Sequence, residues 1–145
     1  MKGTCIHGSG MVTLLSGERL PISNVSIGMI IKTANKDNSI SFNKIIKIPH
    51  HYNNEQATFI MITTDTNKQI LLTPSHLIPI CNLDVITTQE LDIGDCVFTI
   101  DGKENIVDTQ KVVLYGVYTA ITNDTYIVVN DIIVSPFSIY TKLIL

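Results

Sequence analysis

The stretch Val25-Ser26-Ile27-Gly28-Met29-Ile30-Ile31-Lys32-Thr33 returns later in the chain as Leu91-Asp92-Ile93-Gly94-Asp95-Cys96-Val97-Phe98-Thr99. In each copy an apolar–polar alternation runs into a glycine and then into a β-branched run, the pattern of a turn feeding a strand. Both copies continue through a turn into a basic-apolar strand, Lys44–Ile48 in the first and Lys111–Leu114 in the second. Each then offers a hairpin, around Asp65–Gln69 and around Asn123–Tyr126. Two copies are too few for a solenoid, which needs about three. They predict one all-β domain with a pseudo-twofold internal duplication.

The residues around the repeat agree. Roughly a third of the chain is Ile, Val or Thr, whose branched side chains suit a pleated surface better than a helix. Alanine occurs only at Ala34, Ala57 and Ala120. Strands are predicted at Met11–Leu15, Met29–Thr33, Phe42–Ile48, Thr58–Thr63, Gln69–Thr73, Cys96–Ile100, Asn105–Leu114, Val117–Thr122 and Tyr126–Val129. Turn residues separate them, and Asp101-Gly102 between apolar runs reads as a hairpin. A short helical turn is expected either after Pro74 or around Ser23–Ser26.

The chain has 145 residues, 45% of them hydrophobic and 16% charged, with a formal charge of −3. That is one domain's worth of sequence with ample apolar material to offset chain entropy. A nucleic-acid binder carries a basic surplus, so no nucleic-acid partner is expected. The most apolar stretch, Tyr126–Leu145, is broken by Asn130, Asp131, Pro136 and Lys142, so no membrane span is expected. The N-terminus lacks the apolar centre of a signal peptide. Cys5, Cys81 and Cys96 are an odd set that leaves at least one thiol free, and their spacing fits no zinc module. A disulfide-stapled scaffold is not expected.

Two segments carry reactive groups. One is Cys5, followed by Ile6-His7-Gly8-Ser9-Gly10; the other is Leu72-Thr73-Pro74-Ser75-His76. A thiol, a hydroxyl and an imidazole supply a nucleophile, an orienting group and a proton carrier, which together suffice for acyl transfer. Order and spacing make the set specific. After Cys5 come Gly17-Glu18-Arg19-Leu20-Pro21, Val25-Ser26-Ile27-Gly28, Thr73-Pro74-Ser75-His76, Leu91-Asp92-Ile93-Gly94-Asp95, Gly116-Val117-Tyr118-Thr119-Ala120-Ile121-Thr122 and Val128-Val129-Asn130. The chain resembles the Hint (hedgehog/intein) domain, and within it the autoprocessing domain at the C-terminus of hedgehog proteins, from about Gly3 to about Tyr140.

The resemblance implies a flattened, horseshoe-like β-fold and a self-cleaving, single-turnover activity that needs no cofactor or metal. It implies that residues 1–4 are the remnant of an N-terminal segment, which is the substrate, and that residues 5–145 are the processing domain. Cys5 would attack the carbonyl of Thr4, converting the Thr4–Cys5 peptide into a thioester. A second nucleophile, a sterol or other alcohol, or water, would then release the upstream segment. His76 is the matched group to protonate the departing amide nitrogen, and Thr73 the group to orient the peptide. The domain is expected to act as a monomer. Family precedent points to the secretory pathway or outside the cell, although the residues themselves leave the compartment unknown.

The chain departs from the hedgehog pattern at several points. Hedgehog domains place an aspartate base where an ungapped count from Cys5 falls at or beside His50, within Ile48-Pro49-His50-His51-Tyr52, which holds no aspartate. A histidine also serves as a base near neutral pH. Thr4 stands where hedgehog has glycine, and its branched side chain crowds the carbonyl under attack. Ser135-Pro136-Phe137 replaces a family segment that carries a second cysteine. The tail Phe137–Leu145 reads either as a last strand or as the start of a sterol-recognition region. Three other readings compete. Intein-like splicing requires a C-terminal asparagine junction, which this chain does not offer. A catalytically inactive Hint domain would serve as a binding module, but Cys5, Thr73 and His76 are all present. A metal site from Cys5, His7, His50, His51 and His76 is disfavoured because His50 and His51 point to opposite faces if extended.

Overall fold

The structure, a computed structural model, describes residues 5–137. Thr4 and the tail beyond Phe137 lie outside the described residues. Thirteen strands follow one another along the described chain: β1 Ile6–His7, β2 Met11–Thr13, β3 Arg19–Pro21, β4 Ile30–Ala34, β5 Ile40–Lys44, β6 His51–Thr64, β7 Gln69–Leu72, β8 Leu77–Pro79, β9 Val85–Thr87, β10 Cys96–Thr99, β11 Gly102–Tyr118, β12 Tyr126–Val129 and β13 Ile132–Val134. Ile22–Asn24 and Thr88–Glu90 form one-turn 3₁₀ helices. The all-β expectation holds.

Nine strands make one antiparallel sheet in the order β1-β7-β6-β11-β10-β13-β12-β4-β5. The sheet closes at one end, because β1 pairs with β11 as well as with β7. β6 and β11 form the spine. They are the two longest strands and stay in antiparallel register from Ile106↔Thr64 to Tyr118↔His51, with two irregularities. β2–β3 and β8–β9 are two small hairpins outside the main sheet. The main core is largely aliphatic, with Ile6, Ile31, Ile45, Ile62, Leu72, Ile78, Val97 and Ile127 fully buried among others.

The duplication is visible bond by bond, at one constant offset along the chain as far as the Gly28 and Gly94 pair and a shorter one at Ile45 and Ile106. Leu14 bridges Ile31, and Ile80 bridges Val97. Leu14 N–H donates to Glu18 O at 2.8 Å, and Ile80 N–H to Asp84 O at 2.9 Å. Ile22 N–H donates to Gly10 O at 2.7 Å, and Thr88 N–H to His76 O at 2.8 Å. Gly28 and Gly94 both sit at positive φ, 98° and 96°, where only glycine avoids strain. Gly28 N–H donates to Ile45 O, and Gly94 N–H to Ile106 O, each at 2.8 Å.

Several boundaries differ from the sequence expectation. The segment equivalent to Ile45 is Ile106 and not Lys111–Leu114, because those are the residues the two turn glycines bind. Phe42–Ile48 is a strand only to Lys44, since Ile45 leaves the ladder to bond with Gly28 and Met29. The second hairpin lies at Asn130-Asp131, not around Asn123–Tyr126. Asn130 and Asp131 both take positive φ, 52° and 65°, as a tight two-residue turn requires. Of the two positions offered for a helical turn, Ile22–Asn24 fits, whereas Pro74-Ser75 is a plain turn. The second 3₁₀ helix is held by a capping box, with Glu90 accepting from the Thr87 N–H and hydroxyl.

Candidate functional site

Cys5 enters the site through strand pairing. Ile6 in β1 faces Leu72 in β7 on one side and Tyr118 in β11 on the other. Carried one residue on, the same register sets Cys5 opposite both Thr73 and Thr119. Tyr118 in turn faces His51 in β6, so the next pair outward is Thr119 and His50. Thr73, Cys5, Thr119 and His50 therefore form a row across four neighbouring chain segments. Directly opposed residues of an antiparallel pair present their side chains to the same face.

The Cys5–Thr73 pair departs from an ordinary ladder in one respect. Thr73 N–H donates to Cys5 O at 3.0 Å, as a strand pair requires. The return bond, however, runs from Cys5 N–H to the Thr73 hydroxyl at 2.8 Å. The same hydroxyl donates to Cys5 O at 3.0 Å. A hydroxyl can accept and donate at once, so one side chain grips both polar backbone groups of Cys5. The Thr73 carbonyl is thereby released to accept from His76 N–H at 3.1 Å, which closes the Pro74-Ser75 turn. Proline at that point supplies no N–H and presets φ, as a turn favours. Thr73, which holds Cys5, and His76 are thus fixed by one short turn.

Cys5 and His76 are both fully buried. The Cys5 side chain packs with Ala57, Phe59 and Val117. His76 occupies the place that Gly10 holds in the first copy of the repeat, at the entry to a small hairpin. Its Nε2 lies 2.6 Å from the Ser135 carbonyl oxygen. A carbonyl only accepts, so Nε2 carries the proton and Nδ1 holds the lone pair in the neutral ring. Ser135 is in turn fixed by backbone pairing to Leu77 at 3.1 Å. Sequence reading noted Ser135 only as a departure from the family pattern and missed it as the anchor of His76. A backbone carbonyl leaves no signature in residue type.

His50 is partly buried, and its Nδ1 is buried without a hydrogen-bond partner among the described residues. Burial holds its imidazole below the ordinary histidine value, with Glu55 pulling weakly the other way. The ring is therefore neutral at neutral pH. Thr119, buried and likewise without a partner for its hydroxyl, donates its N–H to His50 O at 3.1 Å. In the sequence Thr119 stands out only as a member of the Gly116-Val117-Tyr118-Thr119-Ala120-Ile121-Thr122 segment.

The remaining histidines are engaged elsewhere. His7 meets the Ser9 hydroxyl and the Tyr115 carbonyl, and His51 meets the Ser23 carbonyl with its ring edge-on to Tyr118. Cys81 and Cys96 are joined in a disulfide, with Cα atoms 5.3 Å apart. This corrects the expectation that no disulfide staples the scaffold. They stand at positions that Leu15 and Ile30 hold in the first copy, where a backbone bond already draws the two segments together. Pairing was hidden in the sequence because it follows from the duplication and not from cysteine spacing. Cys5 is the cysteine outside the disulfide. A cavity of about 740 Å³, lined in part by Leu77, Val85, Tyr126, Ser135 and Phe137, lies beside the segment that anchors His76.

The whole chain, residues 1–145, matches the family described as the Hint module. It is 28% identical over 155 residues to the Indian hedgehog protein of Xenopus laevis, covering 97% of this chain and 37% of that protein. It is 24% identical over 140 residues to Warthog protein 1 of Caenorhabditis elegans, covering 90% of this chain and 28% of that protein. The chain thus spans about a third of the length of these relatives. Among solved structures, a DnaB intein from Synechocystis superposes with a TM-score of 0.78 at 18% identity, over 91% of this chain and 97% of that one. A bacterial intein-like domain from Clostridium thermocellum gives 0.75 at 14% identity, over 93% and 99%.

Proposed function

The chain belongs to the Hint family, and on that premise we propose that it is a self-cleaving domain in which Cys5 captures the acyl group of Thr4. Residues 1–4 are then the end of the upstream substrate segment, and residues 5–145 the processing domain. The observation that supports this reading most is the grip of Thr73 on both the N–H and the carbonyl of Cys5. The gripped nitrogen belongs to the bond to be broken. Fixing a thiol beside its own upstream carbonyl makes the first step unimolecular, so positioning carries much of the acceleration.

The proton balance follows from the tautomer of His76. Its Nδ1 lone pair takes the Cys5 thiol proton, and the thiolate attacks the Thr4 carbonyl carbon. As the C–S bond forms, the C–N bond breaks. The amide nitrogen is a poor leaving group until protonated, and His76 passes it the same proton. The product is a thioester with a free α-amine on Cys5. A hydroxyl nucleophile then attacks the thioester, with His50 as base, and releases the upstream segment as an ester or an acid. Sterol, another alcohol and water all fit this second step.

The test is a reporter fused ahead of Met1 and treated with hydroxylamine. Hydroxylamine attacks thioesters without reducing the Cys81–Cys96 disulfide, as dithiothreitol would. The wild type is expected to release the reporter as a hydroxamate. Cys5→Ala abolishes release, and His76→Ala slows it by about 100-fold or more. No hydroxylamine-dependent release from the wild type overturns the reading.

A further inference from the structure

Thr119 is only 2% exposed, and its hydroxyl has no hydrogen-bond partner among the described residues. Leaving a buried hydroxyl unbonded destabilises the fold, and a valine would fill the same space without that penalty. The formation of the thioester, as described above, does not use it. Its neighbours in the row are Cys5 on one side and His50 on the other, the latter tied to it by the Thr119 N–H bond to the His50 carbonyl. His50 brings a second buried polar atom without a partner, Nδ1. Two unsatisfied groups, a hydroxyl and a ring nitrogen, thus belong to adjacent residues of the row that contains Cys5.

We propose that the Thr119 hydroxyl and His50 Nδ1 together receive the hydroxyl group of the molecule that resolves the Cys5 thioester. This rests on the self-cleavage reading and assigns Thr119 a place in its second step. The incoming oxygen has one proton to give up and two lone pairs. The proton faces His50 Nδ1. One lone pair accepts from the Thr119 hydroxyl, which holds the oxygen in line with Cys5. The other attacks the acyl carbon. The C–O bond forms, the C–S bond breaks, the proton passes to His50, and Cys5 Sγ leaves as a thiolate that regains a proton from His50. The chemistry recognised is a hydroxyl group, which both water and an alcohol supply.

The experiment uses the same reporter fusion in thiol-free buffer, as wild type, Thr119→Val and Thr119→Ser. Release is followed in ¹⁸O-labelled water and, separately, with molar methanol, so that mass spectrometry distinguishes a labelled acid from a methyl ester. Hydroxylamine release is measured in parallel as a report on thioester formation and on folding. In Thr119→Val, hydroxyl-driven release is expected to fall at least 10-fold while hydroxylamine release changes less than 3-fold, and Thr119→Ser is expected to recover most of the loss. Either product, acid or ester, supports the assignment. If Thr119→Val releases at the wild-type rate, or if both reactions fall together, Thr119 has no part in the second step. If the wild type shows no hydroxylamine release, the self-cleavage reading falls instead.

Discussion

Thr73 does more at this site than its residue type announces. Its hydroxyl replaces a backbone carbonyl in the pairing with Cys5 and also donates to the Cys5 oxygen. A threonine before a proline ordinarily reads as the end of a strand, and the motif alone suggests only an orienting role. The double contact makes a sharper expectation. Thr73→Val keeps the volume and removes both bonds. Hydroxylamine-dependent release should then fall by about 10- to 100-fold, equivalent to about 1.4–2.7 kcal/mol of barrier. Thr73→Ser should stay within a few-fold of wild type. A Thr73→Val variant with an undiminished release rate would show that strand pairing alone positions the peptide.

Among the elements, the small hairpins show how a duplicated unit tolerates divergence. In the first copy the β2–β3 turn passes through Gly17 at φ 92°, where glycine is at ease. In the second copy the equivalent position of the β8–β9 turn is Leu83, at φ 75° and 63% exposed. Its N–H makes the same bond, to Ile80 O at 2.9 Å, that Gly17 makes to Leu14 O. A leucine held at positive φ costs about 1–2 kcal/mol, of which glycine's larger chain entropy gives back part. Leu83→Gly should therefore stabilise the fold by about 0.5–1 kcal/mol, read as a higher urea midpoint with an unchanged slope. A lower midpoint would mean that the leucine side chain packs usefully against the cavity it borders. The strands were easier to find than the hairpins. Long Ile- and Val-rich runs betray themselves by alternation, whereas β3, β9 and β13 are three residues each and carry too short a pattern.

For the molecule as a whole, the two halves are joined at one end by a buried carboxylate. Glu104 accepts from the Thr64 and Thr66 hydroxyls on one oxygen, and from Lys68 and the Thr99 hydroxyl on the other. These donors come from the β6–β7 hairpin and from β10, so the network ties the first half to the second. Burial alone would raise the Glu104 pKa, but the bonds from Lys68, Thr66, Thr64 and Thr99 outweigh it and hold it at about 2. A carboxyl whose folded pKa lies below its unfolded value of 4.5 contributes stability that is complete above the unfolded pKa. That contribution, about 3 kcal/mol, drains away as pH falls from about 4.5 toward about 2. Urea unfolding across that range should show the decline in wild type and a flatter profile in Glu104→Gln. A profile equally steep in both would place the acid sensitivity in other carboxylates. The Cys81–Cys96 disulfide adds a second tie within the second half, between the β8–β9 hairpin and β10.

The amino-acid order by itself determined the all-β class, the duplication and the identity of Cys5, Thr73 and His76 as candidates for the site. Those are properties of periodicity, of glycine at turns and of reactive residue types, all of which are local. The tertiary structure alone decided which residues meet. Strand register set Thr119 and His50 in line with Cys5, and the pseudo-twofold brought Cys81 to Cys96. A carbonyl at Ser135 fixed the tautomer of His76. Register and backbone acceptors belong to pairings between distant segments, and the type of residue at each position does not encode them.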